Sequence, residues 1–122
     1  PRHGLLRNIH LHWLVLDGVT GATDEAIQAV LHRIIAGFVA TAAQRLESGE
    51  QWDDAAALYE RVLDADPLTE SFYQGIMRCH AACGRHAEAA STYRRLRQQL
   101  SVVLGMQPSQ SSEALARELR AR

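Results

Sequence analysis

The feature that most constrains this chain is that it overlays on itself. A shift of 34 residues (55 to 89) places Ala55 on Ala89, Ala56 on Ala90, Tyr59 on Tyr93 and Arg61 on Arg95, with Asp54 on Glu88 and Val62 on Leu96. A repeat of that length is one supersecondary unit, and such a unit buries its apolar face only by stacking on a neighbour. The matched residues have a shared physical logic. A small residue such as Ala55 or Ala89 lets two helix backbones approach, and the tyrosine one turn later fills the wedge beside it.

Apolar spacing of three and four residues predicts five helices. The first runs from Asp24 to Glu47 with Ile27, Leu31, Ile34, Phe38, Ala42 and Leu46 on its inner face, Thr23 as N-cap and Gly49 as terminator. The second, about Asp53 to Ala65, turns Ala55, Tyr59, Val62 and Leu63 inward and stops before Pro67. The third opens at Thr69 or Glu70, carries Phe72, Tyr73, Ile76, Met77 and His80, and closes at Gly84. The fourth, His86 to Leu104, buries Ala89, Ala90, Tyr93, Leu96, Leu100 and Val103 and is capped by Gly105. A last helix near Ser111 to Ala121 packs Leu115 and Leu119. Residues 1–22 form a lead-in of undecided structure, helix or extended, because Ile9, Leu11, Trp13 and Val15 alternate with His10 and His12. The domain proper is residues 23–122.

The 34-residue period resembles the tetratricopeptide repeat, a helix–turn–helix unit. Ala43, Leu46, Ala55, Tyr59, Val62 and Pro67 match one unit; Tyr73, Ile76, Met77, Ala89, Tyr93 and Leu96 match the next. The resemblance implies an all-α, tetratricopeptide-like right-handed superhelix of antiparallel helix pairs. There are departures: Ala43 stands where glycine is common, and Gly49 lies one residue early. Ser101 replaces the terminal proline, so the fourth helix should run past the usual stop. Two units are few for a freestanding array, so the flanking helices must act as caps.

A second resemblance is more specific. The run Asp66-Pro67-Leu68-Thr69-Glu70, then Met77-Arg78-Cys79-His80 and Gly84-Arg85-His86-Ala87-Glu88-Ala89, is similar to the bacterial transcriptional activator domain. So are Tyr93-Arg94-Arg95-Leu96-Arg97, Leu104-Gly105 and Pro108-Ser109, over roughly Ala36 to Arg120. The resemblance implies a regulatory module acting through self-association, as in a homodimer, or through contacts with neighbouring domains or transcription machinery. It implies no DNA readout by this segment. The rival reading is a structural scaffold or oligomerisation spacer in an unrelated multidomain protein. By the same resemblance, the groove positions that meet a partner fall at Gln44 and Glu47 in one unit and at Gln74 and Arg78 in the other.

Composition narrows the alternatives. With 13 basic and 14 acidic residues the formal net charge is -1, against the basic excess of a duplex-binding domain. All the basic residues are arginine, which a codon bias explains as well as any functional demand. Arg94 and Arg97, neighbours on a helix face, are candidates for holding an anion or an acidic partner. Cys79 and Cys83 lie four apart within a helix, which suits packed thiols in a reducing cytoplasm better than a disulfide or, with His80 and His86, a zinc site. The apolar stretch from Ala26 to Ala43 is interrupted by Gln28, His32 and Arg33, so a membrane span is not expected. Nothing resembles a catalytic set or a cofactor motif, so neither an enzyme nor a cofactor is expected. A start at Pro1 rather than methionine points to a segment of a longer protein.

Overall fold

The computed structural model describes residues 24–121. Five α-helices are formed among them: α1 (Asp24–Ser48), α2 (Trp52–Ala65), α3 (Glu70–Ala82), α4 (His86–Gln99) and α5 (Gln110–Ala121). A π turn, Leu100–Leu104, prolongs α4. The lead-in 1–22, with His10 and His12, and the expected cap Thr23 lie outside the described residues. The chain divides into two compact units after Leu31, and the packing below is that of His32–Arg122.

Helix α3 is the centre of this unit, packed against α2, α4 and α5. One core joins Ala36, Ala40 and Ala43 of α1 to Ala55 and Tyr59 of α2, Phe72 and Ile76 of α3, Leu96 of α4 and Leu100 of the π turn. A second core gathers Met77 and Ala81 of α3, Ala89 of α4, and Ala116 and Leu119 of α5. Of the repeat positions, Ala43, Ala55, Tyr59, Tyr73 and Ala89 are buried, Leu46 and Tyr93 half-buried, and Pro67 exposed in its turn.

The inner face of α1 differs from the one expected. Leu31, Ile34 and Phe38 are exposed, Phe38 at 75%, and so is Ala42. What faces the core is the ridge Ala36, Ala40 and Ala43, whose four- and three-residue steps track one helix face. These alanines share one buried cluster with Ala55 and Ala56 of α2, although the bulkier residues lie on the other side of α1. By length and hydropathy alone α1 is long and apolar enough to cross a bilayer. Three of its alanines, Ala36, Ala40 and Ala43, belong to the shared core.

The helix ends explain the turns. At the end of α3 the Arg85 N–H donates to the His80 carbonyl at 2.8 Å and the Gly84 N–H to Ala81 at 3.0 Å. This is a Schellman closure with Gly84 left-handed at φ 74°. The end of α1 repeats it: the Gln51 N–H donates to Leu46 at 2.9 Å and the Glu50 N–H to Glu47 at 3.0 Å. Here the left-handed residue is Glu50, at φ 60°, so the terminator is one position later than Gly49. In the turn between α2 and α3, Asp66 accepts from the Thr69 hydroxyl at 2.6 Å, and the Tyr73 hydroxyl donates to the Pro67 carbonyl at 2.7 Å.

As expected from Ser101, α4 runs past the repeat's usual stop, but through a π turn closed by Gly105 at φ 63°. The wider turn changes the facing of the residues it contains. Leu100 is buried, whereas Val103, expected inside, is exposed.

Candidate interaction surfaces

The expected groove positions are tied into the fold. Glu47 sits at the end of α1 and Arg78 on α3; the Arg78 Nε donates to Glu47 Oε2 at 2.5 Å and its Nη2 to Oε1 at 3.2 Å. The Tyr59 hydroxyl of α2 donates to the same Oε1 at 2.9 Å, so three helices meet at one carboxylate. Burial and the Glu47 carboxylate push the Tyr59 hydroxyl well above the ordinary phenol range. The hydrogen bond to Glu47 raises Arg78 further, against the opposing effect of burial. Gln74 of α3 donates to Ser112 of α5 at 2.7 Å. Gln44 is exposed.

A second carboxylate, Glu70 at the start of α3, was not singled out from the sequence. It accepts from the Ser109 N–H at 3.0 Å, from the Ser109 hydroxyl at 2.9 Å and from the Ser112 hydroxyl at 2.5 Å. Ser109 is also the N-cap of α5: its hydroxyl accepts from the Ser112 N–H at 3.3 Å. Burial works to raise the Glu70 carboxyl, but the hydrogen bonds from Ser112 and Ser109 outweigh it and hold the group below its ordinary value. The Pro108-Ser109 ending therefore has a structural role. It places a cap serine and a fully buried Ser112 on the first carboxylate of α3.

Other charged contacts join neighbouring helices. Arg95 of α4 pairs bidentately with Glu60 of α2, both contacts at 3.0 Å, and its guanidinium lies 5.7 Å from the Tyr73 ring centroid. Arg85 pairs with Asp53 at 2.5 Å. The two cysteines differ: Cys79 is buried and Cys83 exposed. Burial, with the nearby Glu47 charge, pushes the Cys79 thiol up to about 12, which leaves it protonated and unreactive at neutral pH. His80 accepts from Arg85 Nε at 3.2 Å and is held below its ordinary value by burial and that cation. No group of three or more metal-ligating side chains occurs among the described residues.

Arg94 and Arg97 are both exposed and stand over an open cleft of about 550 Å³ between α4 and α5. Its floor is Met77, Ala89, Ala90, Tyr93, Ala116 and Leu119. Arg120 and His86 complete its rim, and among the described residues no carboxylate lines it. Arg120 was missed because its contribution depends on how α5 lies against α4, which no local pattern encodes.

Helices packed on shared cores and cross-linked by half-buried and exposed carboxylates define an all-α domain. Among protein families, the model of the bacterial transcriptional activator domain matches residues 15–120. The chain belongs to that family, one of transcription regulators rather than of enzymes. No curated protein and no solved structure matches it.

Proposed function

We propose that this domain, residues 23–122, serves its regulator through protein contacts: with a second copy, with neighbouring domains, or with transcription machinery in the bacterial cytoplasm. It does so without reading DNA itself. The observation that carries this reading is the disposition of the arginines. Arg78, Arg85 and Arg95 are each committed to a carboxylate of another segment, which withdraws them from phosphate neutralisation. With a formal net charge of -1 the chain has no compensating basic surplus. Helices α2 to α5 are also packed against one another rather than projecting as a groove reader does.

Within this reading Glu47, Gln74 and Arg78 set the spacing of the helices, and Gln44 lies on the exposed side of the same groove. The recognising edge is the Arg94–Arg97 patch. Mobility-shift titration of residues 1–122 at physiological salt, with the parent regulator's target duplex and a scrambled one, tests the claim. Weak and equal binding of both is expected. Sub-micromolar, sequence-selective binding would overturn it.

A further inference from the structure

We propose that the α4–α5 cleft docks an acidic amphipathic helix of a protein partner, an inference that rests on the protein-contact reading above. Three observations meet here. The first is the charge asymmetry. Arg78, Arg85 and Arg95 are paired with carboxylates, whereas Arg94, Arg97 and Arg120 have no ion-pair partner among the described residues, and all three line one cleft. Gathering around an apolar floor three cations that have no carboxylate partner among the described residues is electrostatically unfavourable unless negative charge is brought to them.

The second is the floor. Ala89, Ala90 and Ala116 are small, so an incoming helix can approach the backbones of α4 and α5 closely. Half-buried Tyr93 supplies a larger apolar contact on the same surface. This is a groove for the apolar stripe of a helix, read at i, i+3, i+4 and i+7.

The third is its extent. Arg94 and Arg97 also line a second depression, of about 550 Å³, with Gln98, Ser101, Met106 and Gln107. The two arginines thus stand on a ridge between an apolar hollow and a polar one. A small molecule requires an enclosed site that covers most of its surface. An open double depression fits an elongated segment instead, with leucine-like side chains on the α4–α5 side and carboxylates over the ridge.

The test uses the intact 122-residue chain and three synthetic peptides of about 18 residues, long enough to span several helical turns. One carries leucines at helical spacing with flanking glutamates, one the same leucines with flanking lysines, and one the acidic composition with its periodicity scrambled. Fluorescence anisotropy is expected to show the acidic amphipathic peptide binding at least about tenfold more tightly than either control, with affinity falling as salt rises. The double substitution Arg94→Ala/Arg97→Ala is expected to weaken it about tenfold, while Arg61→Ala, an exposed arginine outside the cleft, leaves it unchanged. Circular dichroism confirms that each variant is folded, and Arg120→Gln provides a second route to the same loss.

Equal binding of the lysine peptide, or full affinity in the Arg94/Arg97 variant, would overturn the proposal. So would sedimentation showing that the same substitutions dissolve a dimer, since the occupant would then be a second copy. Those results leave the protein-contact reading standing. Selective DNA binding that disappears with Arg94 and Arg97 would instead overturn both.

Discussion

Two carboxylates fasten the outer helices to the α2–α4 centre, and they do so by different chemistry. Glu47, on α1, meets a cation and a phenol: Arg78 and Tyr59. Glu70, on α3, meets neutral donors among the described residues, the Ser109 N–H and the hydroxyls of Ser109 and Ser112. The first tie depends on a partner charge 40% exposed to solvent, where screening keeps ion pairs weak. The second gathers a fully buried hydroxyl and a helix cap, so its loss leaves polar groups unsatisfied. The end of the array held without a counter-charge should therefore be the more sensitive to the loss of its carboxylate.

The largest effect is expected beside the first tie, from packing rather than charge. A Cβ on Gly75 would lie within 2.4 Å of the Tyr59 ring, whose hydroxyl reaches Glu47. Gly75→Ala gains about 1 kcal/mol of helix propensity but must displace a fully buried ring. A net loss of about 2–4 kcal/mol in chemical denaturation is expected. A neutral result would show that the ring is not wedged against α3.

Removing the second carboxylate comes next. Glu70→Ala is expected to cost about 1–2 kcal/mol, because Ser109 and Ser112 lose their acceptor. The tie also has a pH signature. Since folding holds the Glu70 carboxyl below its ordinary value, its contribution is complete above the unfolded value of about 4.3 and is lost as pH falls through the lower folded value. Stability curves of the wild type and Glu70→Gln should converge on acidification. Parallel curves down to strongly acidic pH would contradict the assignment.

A double-mutant cycle on Glu47→Gln and Arg78→Gln should give a coupling of only about 1 kcal/mol, reduced by salt. A coupling well above the loss at Glu70 would invert the comparison. The smallest effect has the opposite sign. Glu50 holds a left-handed conformation that glycine adopts freely, so Glu50→Gly is expected to stabilise by about 0.5–1 kcal/mol in thermal melts.

Much of this architecture was legible in the residues. Ala55, Tyr59, Ala89 and the stops near Pro67 and Gly84 are local signals, and helices α2, α3 and α5 begin and end within a residue or so of where those signals put them, whereas α4 stops at Gln99 and reaches the expected Leu104 only through its π turn. Family membership was legible for the same reason, since the Leu104-Gly105 and Pro108-Ser109 pattern is contiguous. The inner face of α1 was not, because hydrophobicity points to Ile34 and Phe38, whereas the residues buried are the small Ala36, Ala40 and Ala43. Gly75 in mid-helix was a readable mark of a close contact, and it was passed over. The Glu70 cluster and the place of Arg120 on the cleft rim depend on the docking of α5, and no spacing within either segment announces them. The engagement of Glu47 by Arg78 likewise joins residues 31 apart.

The brevity of the turns has a kinetic consequence. Only three to five residues separate one helical element from the next, Gly49–Gln51 and Cys83–Arg85 among them. Each helix therefore meets its main neighbour while little chain has to be gathered in, and loop-closure entropy stays small. Low-contact-order domains of this kind fold within about microseconds to milliseconds. A domain so quick to regain its shape leaves its apolar alanine ridge exposed only briefly after synthesis or transient unfolding, which limits its chance of aggregating with its own copies.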